Sequence, residues 1–155
     1  MKIHHTAICT RDIETSVVFW RDGLGFVEQM DETFAGDWPT LFGARQPRLR
    51  SVFLGDPAAS DAGIIELVDF AGGIGDAGAP SQGPAVGFFL VSVYVAIEPT
   101  LGRLESLGLG GTPSRISLDD TVQMAVVHDP NGVAVELIDL GAHEDRVDDA
   151  TEIRP

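Results

Sequence analysis

The chain has 155 residues, of which 44% are apolar, and a formal net charge of −14. Nucleic acids and anionic membranes are excluded as expected partners, because such a chain would be repelled by their phosphates. No apolar run is long enough to span a membrane, and the N-terminus lacks a signal-peptide pattern. The single cysteine, Cys9, excludes an internal disulfide, so we expect a cytoplasmic protein of one domain or two small halves.

The first half predicts the element order β-α-β-β-β. β-Branched and apolar residues over 3–10 predict a strand, and the next segment predicts a helix that is capped by Asp12 and stops at Gly23. Further strands are expected over 26–30, 48–56 and 63–70. The segment 71–84, "AGGIGDAGAPSQGP", is nearly free of large side chains and is typical of a linker.

The second half repeats this order. Its predicted elements are a strand over 85–95, a helix over 98–108, strands in "TPSRISL" and "TVQMAVVH", a turn over 129–132 and a strand over 133–140. The closing strands, "IIELVDF" and "AVELIDL", share a pattern that makes Glu66 and Glu136 equivalent. These matches indicate an internal duplication, with modules over 3–70 and 85–140 and an acidic tail over 141–155.

Strand alternation separates the two histidines of "IHHTAI". His5 shares a face with Ala7 and Cys9, whereas His4 is expected on the opposite face, against helices or solvent. Glu66 and Glu136 each interrupt an apolar strand face, and a buried carboxylate is costly unless it is paired, protonated or bound to metal. We therefore expect His5, Glu66 and Glu136 to converge, through a cation or a shared proton.

The segments "IHHTAICTRDIETSVVFWRDGLGF", "IIELVDF" and "HDPNGVAVELID" resemble the vicinal oxygen chelate superfamily. This superfamily includes glyoxalase I, methylmalonyl-CoA epimerase, extradiol dioxygenases, fosfomycin-resistance enzymes and bleomycin-binding proteins. The resemblance covers residues 3–140 and implies an α+β fold. Two tandem βαβββ modules would form a curved, cup-shaped mixed sheet with helices on its outer face, and the protein would be a homodimer.

The resemblance also implies a metal site inside the cup. Its ligand positions match His5, Glu66 and Glu136, while Phe88 stands where a second histidine is expected. One imidazole and two carboxylates suit Mn, Fe, Co, Ni or Zn, with water or substrate completing the coordination. The loss of a ligand could equally mean that the site works without metal.

Two further features concern a small-molecule substrate. Arg48 and Arg50 share one face of a strand, where paired guanidinium groups could bind a carboxylate, a phosphate or a thioester-linked cofactor, or form surface ion pairs. Trp38 lies in the loop 34–43, which could line the cup or simply pack. Phe88 would add apolar surface to the pocket.

Three functions remain open at this stage. The first is a metal-dependent isomerase, epimerase or lyase, with Glu66 or Glu136 moving a proton next to a carbonyl in a small organic acid, thioester or polyketide-like substrate. The second is a metal-free enzyme in which the two glutamates and His5 act as acid and base. The third is a drug-sequestering module. A missing second histidine disfavours an extradiol dioxygenase and glutathione-dependent glyoxalase I.

Overall fold

The computed structural model of the protein describes residues 3–59, 63–71, 87–117, 122–139 and 141. The predicted linker and tail lie outside the described residues, except for Ala71 and Gly141. Within the described ranges, no helix is both long enough and apolar enough to cross a membrane.

Each half of the chain forms one four-stranded mixed sheet. The strands of the first sheet are β1 (His5–Cys9), β2 (Val27–Ala35), β3 (Arg48–Gly55) and β4 (Ile64–Asp69), in the order β1-β4-β3-β2. Those of the second are β5 (Val91–Tyr94), β6 (Gly110–Ser117), β7 (Gln123–His128) and β8 (Ala134–Asp139), in the order β5-β8-β7-β6. β1 runs parallel to β4 and β5 parallel to β8, while the other pairs are antiparallel. The predicted α+β class and duplicated order are confirmed.

Two helical segments cover the sheets. The first is α1 (Ile13–Val17), which continues as a π-helical segment (Val18–Gly23), and the second is α3 (Ile97–Ser106). Asp12 caps α1 as expected, because its carboxylate accepts hydrogen bonds from the backbone N–H and the hydroxyl of Thr15.

A third helix, α2 (Trp38–Phe42), occupies a segment for which the sequence predicted only a loop. The carboxylate of Asp37 accepts a hydrogen bond from the backbone N–H of Thr40, and Pro39 lies in the first turn. Gly43 ends the helix with a φ of 68°, a conformation that glycine adopts without strain.

Two predicted strands differ in length from the observed ones. β2 continues to Ala35 because it is an edge strand, where polar residues such as Asp31 and Glu32 stay in water. The strand predicted over 85–95 pairs only from Val91 onward in the described chain.

One apolar core runs through both halves. Its fully buried members include Trp20 from the π-helical segment and the equivalent leucines Leu67 and Leu137 from β4 and β8. The halves are also joined by a hydrogen bond from Arg103 Nε to the carbonyl of Gly23, at 3.0 Å. Glu66 and Glu136 directly precede these leucines. Because strand side chains alternate, each glutamate lies on the face of its sheet that points away from the core.

Candidate functional site

His5 and Glu66 form an ionisable pair on the first sheet. The parallel register places Ala7 opposite Glu66. His5 precedes Ala7 by two residues on β1 and therefore lies on the same face, next to the carboxylate. His5 Nε2 lies 3.1 Å from Glu66 Oε2, and the side chains are 38% and 16% exposed. The structure therefore brings together two of the three predicted ligands.

Ser51 is a member of this cluster that the sequence analysis missed. Its hydroxyl donates to Glu66 Oε1 over 2.5 Å, and the residue is 1% exposed. A signal was present, because Ser51 is a small polar residue directly before the apolar run Val52, Phe53 and Leu54 of β3. With His5 on one oxygen and Ser51 on the other, the Glu66 carboxylate is fixed in orientation.

His4 is exposed, as one of its two expected surroundings allowed, but its ring is not turned away from His5 as strand alternation predicted. Its Nδ1 atom lies 2.9 Å from Nδ1 of His5, and the ring centroids are 5.2 Å apart in an edge-to-face arrangement. Both rings also approach Phe53, at 6.0 and 5.4 Å. His4 precedes the first residue of β1, so strand alternation does not fix the direction of its ring. Since two Nδ1 atoms share one hydrogen bond, one of them must donate and the other must accept.

Glu136 is not grouped with this cluster. Its Oε2 atom accepts a hydrogen bond of 2.5 Å from the hydroxyl of Ser92, on the second sheet. Among the described residues, no set of three or more His, Cys, Asp and Glu side chains is arranged to hold a metal ion. The predicted convergence of three ligands is therefore absent within one chain, because each glutamate is paired on its own sheet.

The register of β5 also corrects the assignment of Phe88. Ser92 lies opposite Glu136, as Ala7 lies opposite Glu66, so the position equivalent to His5 is Leu90. Phe88 lies two residues further from the pair and is 68% exposed. The second histidine is still missing, but the residue in its place is leucine. Counting along the sequence missed this shift because it cannot set the register of a parallel pair.

The predicted arginine pair lies on the other face of the first sheet. Arg50 donates through Nε and Nη2 to the carboxylate of Asp31, at 2.8 and 2.6 Å, and through Nη1 to Glu14, at 2.6 Å. These carboxylates raise the pKa of Arg50, and its guanidinium in turn lowers the pKa of Asp31. Arg48 is exposed and shares this face by alternation. The alternative of an ion pair describes Arg50 better than a substrate contact does.

A groove of about 490 Å³ opens over the His5–Glu66 pair. The flat stack of Trp38 on Phe42, with centroids 5.8 Å apart, borders this groove, and Phe42 also meets Phe70 edge-on at 6.3 Å. Burial, and then the nearby Glu66 carboxylate, raise the pKa of the Cys9 thiol. The groove-lining residues are His5, Ala7, Cys9, Phe42, Gly43, Ala44, Leu49, Glu66, Val68 and Phe70.

The duplicated βαβββ order and the His5–Glu66 pair of the first half agree with the family that a comparison of the sequence with family models identifies. Residues 2–137 match the model of the Glyoxalase/Bleomycin resistance protein/Dioxygenase superfamily. The chain belongs to this family, as the sequence resemblance predicted.

Similar proteins carry several descriptions. A lactoylglutathione lyase-like protein, terB, from Aspergillus terreus is 33% identical over 145 residues, which cover 88% of this chain and 74% of the relative. A glyoxalase family protein from Bacillus cereus has a TM-score of 0.73 and 16% identity, with 91% of this chain and 95% of that chain covered. TnmS3, an antibiotic binding protein from Streptomyces sp. CB03234, has a TM-score of 0.59 and 15% identity, with 91% and 97% covered.

Family members commonly use divalent metals, so we asked whether the side chains of this site could hold such an ion. The 3.1 Å separation of His5 Nε2 and Glu66 Oε2 suits two neighbouring ligands of one ion. Metal sites typically draw at least three ligands from the protein, however, and the described chain groups only these two. The donor set that the described residues of one chain supply does not fit a metal centre, so the chemistry below uses the side chains alone.

Proposed function

We propose that this protein is an enzyme that moves a proton next to a carbonyl group, in a small substrate held in the groove over His5 and Glu66. The observation that carries the proposal is the 3.1 Å approach of His5 Nε2 to Glu66 Oε2 at the base of an apolar groove. A hydrogen-bond donor and a proton acceptor thus stand side by side. Removal of an α-proton needs these two groups close together. The proton acceptor takes the proton from the α-carbon, and the donor binds the carbonyl oxygen two bonds away.

The proposed reaction starts with Glu66 as base. Its Oε2 atom takes the α-proton, and the electron pair left on carbon moves onto the carbonyl oxygen as an enolate. The Nε2–H of His5 donates to that oxygen and stabilises the charge, which develops only in the transition state. Return of the proton from Glu66 to the same α-carbon gives hydrogen exchange with water. In a substrate with a β,γ double bond, its delivery to the γ-carbon of the dienolate completes an isomerisation.

The neighbouring side chains support these roles. Ser51 holds Oε1 of Glu66, so the basic oxygen is directed to one place. When His5 donates from Nε2, its Nδ1 atom accepts, and His4 then donates from its own Nδ1. His4 would thereby keep His5 in the tautomer that the reaction requires. As the family implies, we take the protein to act as a homodimer in the cytoplasm.

A second candidate function is sequestration of a small molecule. It is favoured by the exposed aromatic border of the groove, where Phe42 is 61% exposed. An antibiotic binding protein also shares the fold. Such a protein would bind its ligand in the same groove without moving a proton.

The test follows deuterium incorporation from heavy water into three carbonyl compounds: the neutral ketone β-tetralone, a 2-oxo acid and S-lactoylglutathione. Mass spectrometry is applied to the wild-type protein and to Glu66→Gln, His5→Asn and Glu136→Gln. We expect Glu66→Gln to slow the exchange by about 10²-fold or more, which is typical for loss of a general base. Glu136→Gln is the matched control from the second half, with an expected change of less than about threefold.

Two results would contradict this function. One is exchange that is equally fast in Glu66→Gln and the wild type. The other is binding of a ligand in the groove with no exchange, which would leave sequestration. Repeating the assay with chelator and with added Mn²⁺, Co²⁺, Ni²⁺ or Zn²⁺ tests the metal-free character. A rate that depends on the ion and is lost in Glu136→Gln would favour a metal centre that includes both glutamates.

A further inference from the structure

The charge of the groove points to its ligand. Among the described residues, the ten that line it include the Glu66 carboxylate but no lysine or arginine. The chain as a whole carries a formal charge of −14, so no general field attracts anions. An anionic ligand would approach Glu66 without a cation on the described lining to offset the repulsion between the two charges.

The arginines of the first sheet do not change this balance. Arg50 lies on the opposite face, with its guanidinium bound by Asp31 and Glu14. Arg45 is the nearest cation along the chain, since it follows the lining residue Ala44, but it is exposed and is not part of the lining. A test of ligand charge must therefore include Arg45.

The walls of the groove favour flat apolar ligands. Phe42 and Phe70 contribute aromatic surface on one side, and Ala7, Leu49 and Val68 contribute aliphatic surface. Aromatic rings pack against one another in offset or edge-to-face geometry, and Phe42 already does so on both sides. A volume of about 490 Å³ is within the ordinary range of small-molecule sites.

Among the described lining residues, the strong side-chain hydrogen-bonding groups are those of His5 and Glu66, which lie at the end of the groove where β1 and β4 begin. A ligand that matches this distribution has a ring system along the walls and one oxygen at that end. We propose that the groove selects uncharged aromatic ketones or hydroxyarenes, and discriminates against carboxylates and against glutathione or coenzyme A thioesters. This inference rests on the proposed function, whose substrate class it narrows.

The experiment compares three ligands, of which the first two have the same bicyclic ring system. β-Tetralone is neutral, and tetrahydronaphthoate carries a carboxylate in place of the ketone, while S-hexylglutathione serves as the anionic thioether. Calorimetry measures the affinity. Fluorescence reports the location, because Trp38 stacks on Phe42 at the border, whereas the second tryptophan, Trp20, is fully buried.

We expect β-tetralone to bind about tenfold or more tightly than tetrahydronaphthoate, and S-hexylglutathione to bind no better than the carboxylate. Glu66→Gln should reduce the difference in affinity between β-tetralone and tetrahydronaphthoate, because it removes the charge that repels the carboxylate. Phe42→Ala should weaken β-tetralone binding about fivefold or more, since it removes ring contact. Leu41→Ala is the matched control, because Leu41 is an exposed neighbour outside the lining and should not alter binding.

Equal or tighter binding of either anion would overturn the proposal, and loss of that binding in Arg45→Gln would identify the cation responsible. Unchanged affinity for β-tetralone in Phe42→Ala would overturn it as well. Failure of the proposed function looks different. Selective binding of the ketone without deuterium exchange would refute the enzyme and keep the ligand class. Exchange in the 2-oxo acid or S-lactoylglutathione, but not in β-tetralone, would support the enzyme and refute the proposed ligand class.

Discussion

The two halves of the molecule have the same topology but different polar groups. In the first half, Glu66 meets an imidazole and a hydroxyl, from His5 and Ser51. In the second half, Glu136 accepts a hydrogen bond from Ser92, the partner that the described residues supply, and Leu90 stands in the place of the histidine. The strand pairing is thus the same in both copies, whereas within the described residues the His–Glu pair is present in the first copy and absent from the second. The following substitutions test how far the halves are alike and where they differ.

The largest effect is expected where the halves agree, in the shared core. Leu67 and Leu137 are equivalent and fully buried. Leu67→Ala and Leu137→Ala should each lower the free energy of unfolding by about 2–5 kcal/mol, because each leaves a cavity in the same apolar cluster. Urea unfolding at equilibrium measures both. A loss confined to one variant would show that the core depends on one half only.

A smaller difference is expected between the ion pairs of the two halves. Arg50 is held by two carboxylates, whereas Arg115 pairs with one carboxylate in the described part of the chain, that of Glu98 at 2.5 Å, and is half exposed. We expect Arg50→Met to lower the free energy of unfolding by about 0.5–1 kcal/mol at neutral pH, and Arg115→Met by less. Equal losses in the two variants would remove this contrast.

The pH dependence of the Arg50 effect has a defined sign. The guanidinium lowers the folded-state pKa of Asp31, so the stabilisation is fully present above the ordinary carboxyl value. It should fade as the pH falls through the lowered folded-state pKa, where Asp31 becomes protonated. Unfolding curves of the wild type and Arg50→Met should therefore converge at acidic pH. A constant difference would assign the effect to packing of the arginine side chain.

The smallest effect concerns Cys9, which shares the groove with Glu66. Glu66→Gln should speed alkylation of the thiol by iodoacetamide about two- to threefold at fixed pH, because one of the two causes of its raised pKa is removed. Glu136→Gln should leave the rate unchanged. An equal acceleration in both variants would indicate general loosening of the protein.

Strand periodicity was sufficient to predict the face on which His5, Cys9 and Glu66 lie. Alternation is a local property, and the apolar neighbours of each residue determine which face is buried. Periodicity could not determine the partners of those residues. Asp31 and Glu14 lie on separate elements from Arg50, so no local pattern in the sequence indicated their ion pairs.

Two other features needed the structure for a different reason. His4 precedes β1, and its ring direction depends on a hydrogen bond to its neighbour instead of on strand geometry. The equivalence of Leu90 and His5 depends on the register in which β5 pairs with β8. By contrast, α2 was predictable: Asp37, Pro39 and Gly43 are an N-cap, a first-turn proline and a terminating glycine.

The bonds between the halves have a consequence for how the protein can evolve. The carbonyl of Gly23 accepts from Arg103, and the amide of Asn131 donates to the hydroxyl of Ser16, so helix, turn and core residues of both copies hold one another. In the first half, the core residue Leu67 and the reactive residue Glu66 lie on opposite faces of β4. Alternate positions of a single strand can then drift independently, which lets a duplicated gene exchange its reactive groups while its fold stays under constant selection.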